Sequence, residues 1–148
     1  MAPIVASIDI SRRPEEVFAY MTDPSRFPEW QASVVSARRT DDAPLAVGSK
    51  TFVTRRVGPR QLRSTEEVEE LNPPKSWRFR GVSGPVVGIA EGRVEPLDGG
   101  RRSRVTVALD FEAHGLGKLL VPLVVRRQAR RQLPRNEQQL KEVLERDG

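Results

Sequence analysis

The chain has 148 residues, 37% of them hydrophobic and 30% charged, with no cysteine and a single histidine. That size fits one domain, residues 1–148, with a core that holds without covalent staples. Disulfides, thiolate metal sites and cysteine nucleophiles are excluded, and one histidine cannot make a two-histidine metal site, so neither metal nor cofactor is expected. The formal net charge is +5, and 21 of the 25 basic residues are arginine. Residues 1–115 carry a net +1 and residues 116–148 a net +4, so the excess lies in the C-terminal segment, chiefly at Arg126, Arg127, Arg130, Arg131 and Arg135. Such a surface either attracts anionic lipid, RNA or an acidic protein, or is simply the solvated face of a helix. It has no aromatic residues to stack on bases and no specific nucleic-acid motif. No stretch approaches the 18 apolar residues of a transmembrane helix, although peripheral membrane contact stays open. The opening MAPIVASIDI has no basic region followed by an apolar block, and a cytoplasmic location is expected.

In chain order, Ile4, Ala6, Ile8 and Ile10 alternate with Val5, Ser7 and Asp9, the pattern of a strand with one buried face. Ser11 is a candidate N-cap and Pro14 suits a first helical turn, where Glu15 and Glu16 favour the positive end of the dipole. Val17, Phe18 and Met21 give a short apolar face, and Thr22-Asp23-Pro24 stops it before a second short helix through Phe27 and Trp30. Six strands are then expected at 34–41, 48–57, 60–71, 76–82, 86–96 and 102–113. The breaks between them carry Pro, Gly, Asn and Asp, and connections this short imply antiparallel hairpins. In the last segment Val121, Val125, Ala129, Leu133, Leu140 and Leu144 recur at helical intervals, predicting a long helix over 118–145 with Pro134 kinking it. The fold class is α+β: a curved seven-stranded antiparallel sheet, two short helices after the first strand, and a long C-terminal helix burying its stripe on the sheet.

Three phrases point to a family. IDISRRPEEVFAYMTDPSRFPEW resembles the start of the START-like (SRPBCC) helix-grip superfamily, to which birch-pollen-type allergens belong. VEELNPPKSWRFR resembles its paired-proline turn between middle strands. VEPLDGGRRSRVTVALDFEAHGLGKLLVPLVVRRQARRQLPRNEQQLKEVLE resembles the last strands and final helix of polyketide cyclase/dehydrase-type members. The resemblance implies a sheet wrapped around the long helix and a cavity between them for a small hydrophobic partner such as a lipid, polyketide or steroid. It implies no reaction, because the superfamily mixes carriers, chaperones and cyclases. Whether the protein is an enzyme, and its oligomeric state, stay open.

Alternation supplies candidate inward residues, which either fill the core or line the cavity that the resemblance implies: Phe52, Ser64, Glu66, Val68, Trp77, Phe79, Ala90, Gly92, Leu109 and Phe111 from the strands, with Trp30 from the helix pair and Leu119, Leu120 and Leu123 from the start of the long helix. Glu66 is the foremost polar candidate, as acid, base, ligand anchor or partner in a rim salt bridge. His114, at the end of the last strand, is a candidate base or an exposed turn residue. Tyr20 is a candidate donor to a ligand carbonyl, and Arg56 a candidate cation for polarising one. A carrier, sensor or chaperone for a hydrophobic molecule, an aromatase/cyclase-type enzyme, and an interaction module using the basic helix are the three functions in contention.

Overall fold

A computed structural model of the chain describes residues 3–83, 86–113 and 121–146. His114, Leu119 and Leu120 lie outside the described residues. Strand β1 spans Ile4–Ile10, followed by helix α1 (Pro14–Met21), a 3-10 turn (Pro24–Arg26) and helix α2 (Phe27–Trp30). Strands β2 (Val34–Arg39), β3 (Lys50–Val57), β4 (Arg60–Asn72), β5 (Ser76–Gly81), β6 (Val86–Leu97) and β7 (Arg102–Ala113) precede the long helix α3 (Val121–Arg146).

All seven strands form one antiparallel sheet in the order β1-β7-β6-β5-β4-β3-β2. Five consecutive hairpins build it from β2 to β7, and β1 closes the far edge by pairing with β7, Ile4 opposite Leu109 and Ile10 opposite Ser103. Irregular register between Val34 and Ser36, and between Val68 and Glu70, marks bulges that add local bend and twist. A cis peptide joins Pro73 and Pro74 in the β4–β5 turn. The long helix runs through Pro134 as one element. It lies against the concave face with Leu133, Leu140 and Leu144 buried, each contributing about 1.5–3 kcal/mol through removal of apolar surface from water.

Caps and ties set the ends. Helix α1 starts after Arg13 without a side-chain cap, Pro14 supplying the fixed φ. Ser11 does not cap it; its backbone N–H donates to the Glu145 carboxylate (2.8 Å), while Arg12 Nε donates to the Leu144 carbonyl (2.7 Å). These bonds lock the C-terminal end of α3 to the β1–α1 junction. Asp23 Oδ1 accepts from the Ser25 N–H (3.0 Å) and caps the 3-10 turn. Arg126 departs from the expected exposed arginine row. It is 7% exposed and reaches Asp110 at 3.4 Å, because position 126 lies on the sheet-facing side of the helix, eleven residues before Glu137.

Candidate functional site

Between the concave face and α3 lies a cavity of about 190 Å³, larger than the ~150 Å³ that suffices for a benzene-sized guest. Its apolar side comes from alternate residues of three strands: Trp77 and Phe79 of β5, Ala90 of β6, and Val107, Leu109 and Phe111 of β7. Met21, Phe27 and Trp30 close one end. The aromatic residues form a connected group, with Trp77 and Phe79 ring centres 4.9 Å apart and Phe27 and Phe79 6.3 Å apart. The lining grades from buried at that end to half-buried or exposed at Val57, Leu62, Arg63, Phe111 and Val125. The cavity therefore opens where the β3–β4 hairpin meets the first turns of α3.

The opposite wall is polar. Arg55 of β3 and Glu66 of β4 face inward and form an ion pair of 2.7 Å, and Arg55 also donates to Gln31 Oε1 (3.2 Å). The pair offsets its own charge, so the only unpaired charge on the lining among the described residues is Arg63, which is exposed at the open end. Asn136 is committed to the Ala32 N–H (3.1 Å). Ser33, Ser64 and Gln132 line the cavity and make no side-chain hydrogen bond with described residues, which leaves them for a ligand's polar end.

The structure sorts the sequence candidates by register. Trp30, Ser64, Glu66, Trp77, Phe79, Ala90, Leu109 and Phe111 all border the cavity. Phe52 does not: it is 51% exposed, because Thr51 and Val53 hold the inward positions of β3. The same alternation turns Arg56 outward and Arg55 inward. Val68 is buried in the core beyond the cavity. Gly92 is covered instead by Trp77, whose ring atoms would lie 2.2 Å from any added Cβ. Leu123 is 55% exposed at the start of α3. Tyr20 sits outside the cavity, its hydroxyl donating to Glu29 (3.2 Å) and its ring under the Arg26 guanidinium at 5.5 Å.

Two features escaped the sequence reading. Arg55 was signalled by the alternation Val53, Arg55, Val57. Glu137 was signalled by its place four residues after Leu133 and three before Leu140, inside the apolar stripe. It is 1% exposed with Oε2 unpartnered, and burial pushes its pKa up to about 8.

A sequence profile described as polyketide cyclase / dehydrase and lipid transport matches residues 1–145. The chain belongs to that family. Its fold is the START-like helix grip. No curated protein matches the sequence significantly. Among solved structures, the family member described here is similar to the Zhui aromatase/cyclase from a Streptomyces species, with TM-score 0.82 at 14% identity over 97% of this chain and 93% of that one. A START superfamily protein from Mycobacterium smegmatis gives TM-score 0.78 at 16% identity, covering 100% of both chains. Ara h 8.0201 gives TM-score 0.68 at 12% identity over 95% of each. Family and fold together support binding of a hydrophobic small molecule.

Proposed function

We propose that this family member is a non-catalytic carrier or sensor that holds one small, largely apolar molecule in the cavity. The observation that carries the reading is the composition of the lining: an aromatic and aliphatic surface over β5–β7, faced by a wall whose only ion pair, among the described residues, is internally neutralised. An apolar body gains free energy by leaving water for the first surface, and hydroxyl or carbonyl groups at its end find Ser33, Ser64 and Gln132 on the second. Both tryptophans of the chain, Trp30 and Trp77, border the cavity, so intrinsic fluorescence reports occupancy directly. Titration with a neutral aromatic probe such as N-phenyl-1-naphthylamine is expected to saturate at one equivalent and to change tryptophan emission. Ala90→Phe, which projects a ring into the cavity from the centre of β6, is expected to weaken that binding at least tenfold while thermal stability stays near the parent's. Equal affinity in the variant would place the probe elsewhere and reject the reading.

The Arg55–Glu66 pair supports a second reading, an aromatase/cyclase-type activity on a polyketide-like chain, the activity named for the Zhui structure. Arg55 would polarise a ligand carbonyl and Glu66 would accept a proton from the carbon beside it. Arg55→Gln and Glu66→Gln are then each expected to reduce turnover by 10²-fold or more while leaving probe binding within a few-fold. Turnover unchanged in both would remove the enzymatic reading and leave the carrier.

A further inference from the structure

The positive charge of the molecule is gathered on two segments, the β3–β4 hairpin and the first half of α3, which meet at the cavity mouth. Residues 55–65 and 121–135 hold nine arginines and no carboxylate, leaving 16 basic against 20 acidic residues elsewhere, a net −4 on the rest of the chain. The two segments are far apart in sequence but joined in space by one side chain. Gln128 of α3 accepts from the Gly58 N–H (3.3 Å) and donates to the Arg56 carbonyl (2.9 Å), both on the β3–β4 hairpin. Arg55 and Arg126 turn inward to Glu66 and Asp110. The other seven, Arg56, Arg60 and Arg63 on the hairpin and Arg127, Arg130, Arg131 and Arg135 on the helix, are exposed and form no side-chain hydrogen bond or ion pair with described residues.

Two exposed aliphatic side chains lie side by side within this collar. Leu123 and Val124, in the first turn of α3 and next to the mouth residue Val125, are 55% and 52% exposed. Exposed aliphatic side chains set among unpaired arginines suit an interface where hydrocarbon lies just beneath anionic headgroups. They do not suit RNA, since neither segment contains an aromatic residue on which a base would stack.

We propose that this collar docks the cavity mouth on an anionic phospholipid bilayer, with Leu123 and Val124 entering the headgroup layer and the arginines contacting phosphates around them. The cavity then opens toward lipid, and an apolar ligand passes in or out without crossing water. The docking surface stands on charge and exposure alone; only the route for the ligand rests on the carrier reading above.

Vesicle flotation tests it with the full chain, using phosphatidylcholine alone or mixed with phosphatidylglycerol. The protein is expected to float only with the anionic vesicles and to be released by salt. Each arginine near the surface is worth roughly fivefold in affinity, so Arg127→Gln with Arg131→Gln and Arg135→Gln is expected to weaken binding about 10²-fold, and Arg56→Gln with Arg60→Gln and Arg63→Gln similarly. A control triple of equal charge, Arg38→Gln with Arg93→Gln and Arg101→Gln, lies outside the collar and is expected to float like the parent. Leu123→Ser with Val124→Ser is expected to remove the part of binding that survives moderate salt. Ala90→Phe, which tests the ligand reading, is expected to float unchanged, so the two ideas fail separately. Equal loss in the control and collar triples, flotation indifferent to phosphatidylglycerol, or tighter binding to single-stranded RNA than to anionic vesicles would each overturn the proposal.

Discussion

Glu137 is a carboxylate in the place of a leucine. Its neighbours along the helix face are Leu133, Leu140 and Leu144, all buried. Lys141, one turn on, is held by the Glu145 carboxylate (2.7 Å) and the Asp9 carbonyl (2.9 Å). Burial alone raises its pKa from 4.5 to about 8, because the charged form loses its water and Oε2 has no donor among the described residues to replace it. Between those values the folded chain keeps a proton that the unfolded chain has released. Stability is therefore full below the unfolded pKa, falls as pH rises toward about 8 and levels off above it. The change is on the order of 5 kcal/mol. Glu137→Gln, which cannot ionise, is expected to melt several degrees above the parent at pH 8.5 and within a degree or two of it at pH 5. Melting curves at the two pH values check this, and parallel pH dependence in parent and variant would assign the effect to another group.

Trp77 shows how one small residue fixes a large one. Its indole lies directly over Gly92, where a Cβ would stand 2.2 Å from Cε2, far inside van der Waals contact. Gly92→Ala is expected to displace the ring, to shift tryptophan emission to the red, and to destabilise by roughly 1–3 kcal/mol through overpacking. Denaturant titration with fluorescence detection reads both effects at once.

Among the elements, strands and helices were legible because burial follows period. Strands β1 and β7 coincide with their expected ranges, and the other five differ by no more than two residues at either end, since Gly, Pro and Asn end each run where the backbone must turn. Which face of a strand points inward was legible only where polarity alternates cleanly. On β5 the sequence Ser-Trp-Arg-Phe-Arg-Gly leaves one choice, and Trp77 and Phe79 face the cavity. On β3 the sequence Thr-Phe-Val-Thr-Arg-Arg-Val does not: hydrophobicity favours Phe52, but the ladder places Thr51 and Val53 inside and hands Arg55, not Arg56, to the site. A pair of adjacent arginines carries no register of its own; the partner strand supplies it, Arg55 standing opposite Leu62. The helix stripe likewise hid Glu137 and Arg126, because polar residues on an apolar face are read as exceptions until the face is built. Leu140, at the stripe's centre, is fully buried, and Leu140→Ala is expected to destabilise by about 2–5 kcal/mol, measured by the shift of the urea midpoint.

At the scale of the molecule, a mostly apolar cavity lies beside a cationic surface, the first proposed to hold the ligand and the second to set location. The cationic surface follows from where acids are absent: none occurs between Thr51 and Thr65, and none between Leu123 and Asn136, so the segments that frame the opening stay positive whatever the rest of the surface carries. No helix among the described residues is long and apolar enough to cross a membrane. The fold itself is common to carriers and cyclases, and only the groups inside the cavity separate those activities.

Native mass spectrometry tests occupancy of the cavity most directly. Protein incubated with an organic extract of the cells that make it, then freed of excess extract, is predicted to carry one small-molecule adduct. That adduct is predicted to leave on solvent extraction and to be missing from folded Ala90→Phe. A parent protein that stays bare in the extract, or a variant that carries the same adduct equally well, would contradict an internal ligand site.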